Sequence, residues 1–460
     1  MFFLNRLSQI APPPLKHFFQ PGYPFKPDRL PFFYGWVILA ASTFGILASI
    51  PGQTIGVSVF TDHLLTVTGL TRLELSNAYL VGTITSGCLL PLGGALLDRL
   101  GARLMIVMAA VWLGLTLAYL SVSDRIAQAL SALLSLESSS LIALALLVLG
   151  FVSLRFSGQG MLTMTSRTTL GKWFDRRRGF AAGLEGIFVS FGFAIAPLVF
   201  SRWIGVLGWR WTWLSLAGVI GFGVSLVGWL LFRDNPEECG LRMDGEEPEP
   251  VLESSSTISG AAARPFIQGV TRREALRTLA FWAITLALAT QALTITGITF
   301  HIVDIGADAG LVEARTVAIF VPIAVVSTAV GYGIGVASDR FQLKPLFGVM
   351  MVFEAVGVAA MAHLQVPSLR WLAVLGLGVS GGCFATLTSV ALPRYFGRAH
   401  LGAIAGVQMM SLVIASALGP TILAWFKQVF GAYTLGLYAC SLLPVVALGL
   451  VVGMGRPVGE

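Results

Sequence analysis

The sequence predicts an all-α membrane protein with twelve transmembrane helices in two pseudo-symmetric six-helix bundles. Three observations carry this expectation. Only 12% of the 460 residues are Asp, Glu, Lys or Arg, about half the share of an ordinary soluble domain. Apolar residues make up 55% of the chain, and one crossing takes roughly 20 of them, so twelve crossings fit with loops to spare. Landmarks in the first half also recur in order in the second. Such a composition excludes a collagen, a disordered chain, a disulfide scaffold and a cytosolic enzyme.

Apolar runs predict helices over 34–60, 73–97, 104–123, 140–166, 180–204 and 210–232, then 279–304, 315–338, 345–363, 370–393, 401–426 and 430–453. Spanning helices satisfy their own backbone groups, so Pro51, Pro91, Pro197, Pro322 and Pro420 read as kinks or close packing rather than as ends. The expected organisation is a tail over 1–33, a bundle over 34–232, a linker over 233–278, a second bundle over 279–453 and a tail over 454–460. The linker is the longest polar stretch, with Glu246, Glu247, Glu249 and Ser254-Ser255-Ser256, a composition that predicts a mobile connection. Residues 124–139 read equally as a short amphipathic helix or as an extension of the third helix. The tail over 1–33 has no apolar run long enough for a signal-peptide core, so no cleavage is expected.

Lysine and arginine set the orientation. With the N-terminus inside, 22 of the 30 fall in cytoplasmic segments, seven on the other side, and Arg155 lies within a helix. That bias predicts both termini in the cytoplasm and a multi-pass inner (plasma) membrane protein. The positive charge is spread over short loops, so it does not indicate a nucleic-acid partner. The four cysteines lack metal-ligand or disulfide spacing, and neither a metal nor a cofactor is expected.

The internal repeat is specific. Gly94, Asp98, Arg99 and Arg103 recur as Gly335, Asp339, Arg340 and Lys344. Trp173-Phe174, Gly179, Gly183 and Pro197 recur as Tyr395-Phe396, Gly402, Gly406 and Pro420. Two six-helix halves repeating in parallel are the architecture of a secondary transporter.

Gly94-Ala95-Leu96-Leu97-Asp98-Arg99-Leu100-Gly101-Ala102-Arg103 resembles the best-known loop motif of the major facilitator superfamily. More narrowly, the chain resembles the monocarboxylate transporters and the oxalate/formate antiporter group. That likeness rests on Tyr34-Gly35-Trp36, on Trp173-Phe174 with Arg176-Arg177-Arg178-Gly179 and Gly183, and on Phe300-His301. The chain departs from those groups in the eighth helix. Where they typically carry a substrate-binding arginine and an acidic partner, it has Gly331 and Ser327, and the eleventh helix offers Gln408 rather than a lysine.

The resemblance implies a cavity lined by helices 1, 4, 7 and 10, whose polar residues are Gln53, Gln159, Gln291, Thr294, Ser380 and Thr386, with His301 near the end of helix 7. Arg155 is the residue expected to carry substrate chemistry. A guanidinium at that depth costs about 2.5–3.5 kcal/mol on insertion scales, so it faces a cavity or a partner. One reading binds an anionic substrate group or biases a nearby carboxylate's proton; the other is a hydrogen bond between helices. Arg155, Gln53, Gln159, Gln291, His301 and Gln408 are thus the candidate substrate residues. Glu354, midway along helix 9, is expected to exchange between protonated and ionised forms as water reaches it, unless it simply bonds a neighbouring helix. Glu185, two turns beyond the arginine cluster, is a second proton-coupling candidate or a gate partner.

Asp98 and Asp339 are expected at the positive N-termini of helices 11 and 5, where a carboxylate gains roughly 0.3–1 kcal/mol. Arg99, Arg103, Arg340 and Lys344 would add pairs between the halves. Gly376-x-Gly378-x-x-Gly381 and Gly378-x-Ser380-x-Gly382 match soluble-enzyme fingerprints, but they lack the α/β context that those motifs need and read as helix packing. The expectation is therefore no enzyme. It is a monomeric secondary transporter that moves a small organic anion by alternating access, coupled to protons. Efflux of amphipathic compounds and a non-transporting scaffold on the same fold are the alternatives.

Overall fold

The computed structural model describes residues 20–135, 140–245 and 269–455. The acidic and serine-rich part of the linker, and residues 136–139 of the insert, lie outside them. Among the described residues, twelve helices are long and apolar enough to span a membrane. They are α1 (Gly35–Gly52), α2 (Arg72–Leu100), α3 (Ala102–Leu133), α4 (Ser140–Trp173), α5 (Arg178–Leu207), α6 (Trp209–Leu231), α7 (Leu279–Asp308), α8 (Ala314–Arg340), α9 (Leu343–His363), α10 (Pro367–Phe396), α11 (Leu401–Phe430) and α12 (Thr434–Gly453).

Each half buries its own apolar core. In the first, Leu113, Leu117, Leu120, Leu147 and Leu154 are sealed with Phe60 and Trp213. In the second, Phe281, Ile284, Leu288, Phe347 and Leu387 do the same. The halves meet along two main seams, α2 on α11 and α5 on α8. The α2–α3, α4–α5, α8–α9 and α10–α11 turns lie on one side of the bundle. With Arg99, Lys172, Arg340 and Arg398, that side is termed the basic face.

Three predicted boundaries change. The first segment is not one helix: it runs Gly35–Ala48, tightens over Ile50–Gly52, extends at Gln53 and resumes over Thr54–Ser58 and Thr61–Thr68. Pro51 cannot donate to the helical ladder, which accounts for the break. The insert resolves as an extension of the third helix, since α3 continues to Leu133. The fourth segment runs on past 166 to Trp173, with every residue from Thr168 to Trp173 buried. Its polar side chains face protein rather than lipid.

The opening of the linker also departs from the mobile stretch that composition predicts. Residues 233–245 pack onto the basic face. Arg233 donates to the carbonyls of Pro21 (2.7 Å) and Tyr23 (3.0 Å), and Asp234 accepts the Ala102 amide. Asp244 accepts the amides of Asp175, Arg176 and Arg177 at 3.1, 2.7 and 3.3 Å. Cys239 is buried beside Tyr34 and Trp173, and burial pushes its thiol up to about 12, against the opposing pull of Arg233.

Candidate functional site between the two halves

The two halves are bonded together at the basic face by two equivalent devices. Asp98, at the end of α2, accepts the first free amides of α11, Gly402 at 2.8 Å and Ala403 at 2.7 Å. Asp339, at the end of α8, accepts those of α5, Gly179 at 2.6 Å and Phe180 at 2.8 Å. These amides have no intrahelical acceptor, and the positive helix end favours a carboxylate. The motif glycines make the approach possible. A Cβ on Gly94 would lie 2.1 Å from the Gly402 carbonyl oxygen, and one on Gly179 would lie 2.1 Å from that of Gly335.

The neighbouring cations do not join the halves as expected. Arg103 turns inward and donates to the carbonyls of Trp229, Gln20 and Tyr23, all in its own half. Lys344 reaches Met454 in its own half at 3.4 Å. Arg99 and Arg340 are exposed. Arg398, in the α10–α11 turn, does cross. It pairs with Glu237 at 2.8 Å and donates to the Lys172 carbonyl at 2.8 Å. Sequence reasoning missed this pair, because Glu237 lay in a stretch read as mobile.

Just inside this closure lies a small cavity lined by α4, α10 and α11, including Arg167, Thr168, Thr388, Ser389 and Gln408. Its volume is about 40 Å³, room for roughly two or three waters. Several buried polar atoms in this region have no partner: Arg167 Nε, Ser389 Oγ, Gln408 Nε2 and, on α5, Glu185 Oε1. Glu185 and Arg167 act on each other electrostatically. A buried donor without an acceptor costs about 1–3 kcal/mol, so these atoms take their partners from whatever fills the cavity. Of the candidate residues, Gln408 is at this cavity. Arg167 and Ser389 were missed. Arg167 fell outside the predicted fourth helix and was counted as a loop cation; the polar run that follows it was the available signal.

Arg155 is the principal departure. Its side chain is sealed between α1, α2 and α4. One terminal nitrogen lies 3.4 Å from the Gly52 carbonyl and 3.3 Å from Thr54 Oγ1, and the guanidinium sits 5.3 Å from the centre of the Tyr79 ring. Its Nε has no partner, and it does not line the cavity. It spans the break in α1 opposite a π-helical stretch of α4, Arg155–Leu162. Gln53 belongs to the same seam, donating to Ser49 Oγ at 3.0 Å and Thr163 Oγ1 at 3.4 Å. Gln159 lies on that stretch, half-buried.

The remaining candidates are dispersed. Gln291 is buried on α7, where a Cβ on Gly381 of α10 would lie 3.9 Å from its Nε2. Thr386 donates to the Gly331 carbonyl at 2.8 Å, and Ser380 to that of Leu377 at 3.3 Å. His301 is held at the far end of α7, with Nε2 2.9 Å from the Pro420 carbonyl and Nδ1 3.1 Å from the Tyr433 hydroxyl. A carbonyl only accepts, so Nε2 carries a proton. Glu354 is fully buried between α9 and α7. The Thr294 hydroxyl lies 2.9 Å from Glu354 Oε1 and 3.2 Å from the Gln291 carbonyl. If Glu354 carries a proton, it donates to Thr294 and Thr294 donates onward to Gln291; if it is ionised, the hydroxyl hydrogen is shared between the two acceptors.

Two repeated six-helix halves, bonded at one face, enclose a polar cluster within a bundle of twelve membrane-spanning helices. The sequence profile of the Major Facilitator Superfamily matches residues 37–420, and the chain belongs to that superfamily. It is 28% identical over 332 residues to the ectoine/proline transporter ProP of Corynebacterium glutamicum, covering 69% of this chain and 60% of that protein. It is 26% identical over 265 residues to the MFS-type transporter dbaD of Emericella nidulans, covering 54% and 53%. The chain thus spans less than two thirds of either relative. Solved structures share the fold at low identity. A bacterial homologue of the iron transporter ferroportin in an outward-facing state aligns with TM-score 0.67 and 15% identity, covering 90% of this chain and 98% of that one. The human organic anion transporter MFSD10 aligns with TM-score 0.58 and 14% identity, covering 91% and 99%. The protein is a multi-pass membrane protein of that superfamily.

Proposed function

We propose that the protein is a secondary transporter that moves a small carboxylate-bearing organic anion by alternating access, in company with a proton. The observation that carries this reading is the set of unpaired donors inside the closure: a guanidinium, an amide and a hydroxyl. Donors of this kind complement an oxyanion, and a guanidinium complements a carboxylate best. The relative named for ectoine and proline supports a small carboxylate-bearing solute, and the resemblance to the monocarboxylate and oxalate/formate groups supports the same class. Anion binding does not rest on Arg155 in this reading.

Asp98 and Asp339 are the gate. Rocking the halves apart at the basic face removes four amide–carboxylate bonds at once, and the cavity inside then opens to that side. The basic face is cytoplasmic, as its share of arginine and lysine supports, and the protein lies in the inner membrane as a monomer. Two buried carboxyls can carry the coupled proton, Glu354 and Glu185.

Purified protein in liposomes tests the proposal by uptake of radiolabelled carboxylates with and without a pH gradient. Concentrative uptake that collapses with the gradient is expected. If no carboxylate is taken up, the anion reading fails; if uptake is indifferent to the gradient, the proton is removed from it.

A further inference from the structure

Arg167 and Glu185 are opposite charges behind the closure of the basic face, Arg167 half-buried and Glu185 3% exposed. Arg167 lies on α4 two turns before its end at Trp173, and Glu185 lies two turns into α5, so both sit at one depth behind the gate. Each has a buried polar atom without a hydrogen-bond partner. They feel each other's charge, yet no ion pair forms between them at bonding distance. Among the described residues, Arg167 is the charged group that acts on Glu185. The adjoining stretch of α8 brings Tyr332 near Gly183, two residues from Glu185.

A half-buried guanidinium whose Nε has no acceptor, beside a carboxyl with an unpaired oxygen, is a costly arrangement for stability alone, since an unpaired buried polar atom is unfavourable. It is the arrangement needed if a second carboxylate must enter. The second half contributes the rest of the shell. Ser389 on α10 and Gln408 on α11 line the same cavity as Arg167, each 4% exposed and each with one unpaired polar atom. A carboxylate placed there takes bonds from both halves at once, as a ligand that responds to rocking of the halves must.

We infer that Arg167, with Ser389 and Gln408, forms the anion site, that it takes a monocarboxylate, and that Glu185 is the internal counter-ion which substrate replaces. This inference rests on the transport reading above. The balance of charge is simple. Before binding, Arg167 and Glu185 cancel. When the substrate carboxylate takes the guanidinium, one negative charge is in excess. One proton from the bathing water, added to a Glu185 carboxylate oxygen, restores neutrality. Anion and proton therefore enter together and leave together, one of each, with no other ion required. Efflux and uptake follow the same cycle in opposite directions.

Thermal stabilisation of the purified protein by acetate, L-lactate, pyruvate and benzoate reads this out, because a ligand of the native state raises Tm by mass action. The wild type is expected to be stabilised by at least one of them, with apparent affinity falling about tenfold per pH unit on the alkaline side, the slope for one coupled proton. Arg167→Gln loses that stabilisation by at least tenfold, and Arg167→Lys recovers part of it. Glu185→Gln, a permanent mimic of the protonated acid, binds the same carboxylate with no pH slope.

Absence of stabilisation of the wild type by every member of the series removes the transport reading and this inference together. Stabilisation that survives Arg167→Gln removes the assignment of the anion site and leaves the transport reading standing. Should Arg167→Gln fail to fold, Glu185→Gln decides: a wild-type pH slope in that variant overturns the counter-ion role.

Discussion

Arg398 and Glu237 form a 2.8 Å ion pair between the second half of the protein and a linker segment folded onto the first, with side chains only 12% and 16% exposed. It adds a third tie to the two carboxylate–helix contacts at the basic face. Removing one member leaves a largely buried charge alone, which costs about 3 kcal/mol when burial is complete and less here. Glu237→Gln is expected to favour the form open at the basic face, read as a longer spin-label distance between the α2–α3 and α10–α11 turns. The double exchange Glu237→Arg with Arg398→Glu should restore the wild-type distance; if it does not, the pair is not what holds the faces together.

Gly94 and Gly179 should be intolerant of even one methyl. Each Cβ would meet a backbone carbonyl oxygen at 2.1 Å, and a backbone atom cannot rotate aside as a side chain can. Alanine at either position is expected to prevent full closure and to cost about 1–3 kcal/mol. The check is accessibility of a cysteine placed at Thr168 to an impermeant thiol reagent. Unchanged protection in Gly94→Ala would show that the close approach does not matter.

Arg155→Gln separates a clamp from a ligand. The side chain bridges the break in α1 and stacks over Tyr79. Its loss should lower stability by about 2–4 kcal/mol, from lost hydrogen bonds to a charged group and a desolvated cation–π contact. Carboxylate affinity in the folded fraction should stay within about threefold, under half of the 1.4 kcal/mol that tenfold represents. A large loss of affinity at unchanged Tm would return Arg155 to the binding site.

Glu354→Gln should fold as the wild type does. An amide can donate to Thr294 as a protonated carboxyl does, so the change is expected within about 1 kcal/mol, whereas Glu354→Ala leaves a polar hole and costs about 2 kcal/mol or more. If Glu354→Gln is as damaging as Glu354→Ala, the side chain is ionised in the native protein and the Thr294 hydroxyl hydrogen is the shared one.

Cys239 reports whether the linker is seated. Its thiol is pushed up to about 12 by burial, so at pH 8 it holds its proton, and the reactive thiolate is scarce. In a Cys88→Ser background, alkylation by iodoacetamide at pH 8 should be slow in the folded protein. Asp244→Ala removes the three amide contacts at the α4–α5 turn and should speed labelling several-fold. Equal rates in both proteins would mean that Asp244 does not hold this segment.

The gate motifs were legible because a turn that must bring a carboxylate onto a helix N-terminus needs a fixed spacing of Gly and Asp, and the repeat shows that spacing twice. The proposed anion site was not. Arg155 stood out because a lone charge in an apolar run is conspicuous. Arg167 was hidden in a polar run, Thr163–Lys172, that resembles a loop when solvent is taken to be lipid. That run remains helical because it is packed between α1 of its own half and α10 and α11 of the other, where polar side chains are tolerated.

What the sequence determined by itself is the number of spans, their pairing into repeated halves and the closure that joins them. Those follow from the length of hydrocarbon that a helix must cross and from local motif spacing. Only the tertiary structure decided which arginine meets the other half, which one merely clamps a broken helix, and that the linker's opening segment is seated. Those outcomes depend on which face of each helix turns toward protein, and that is set by packing between segments hundreds of residues apart.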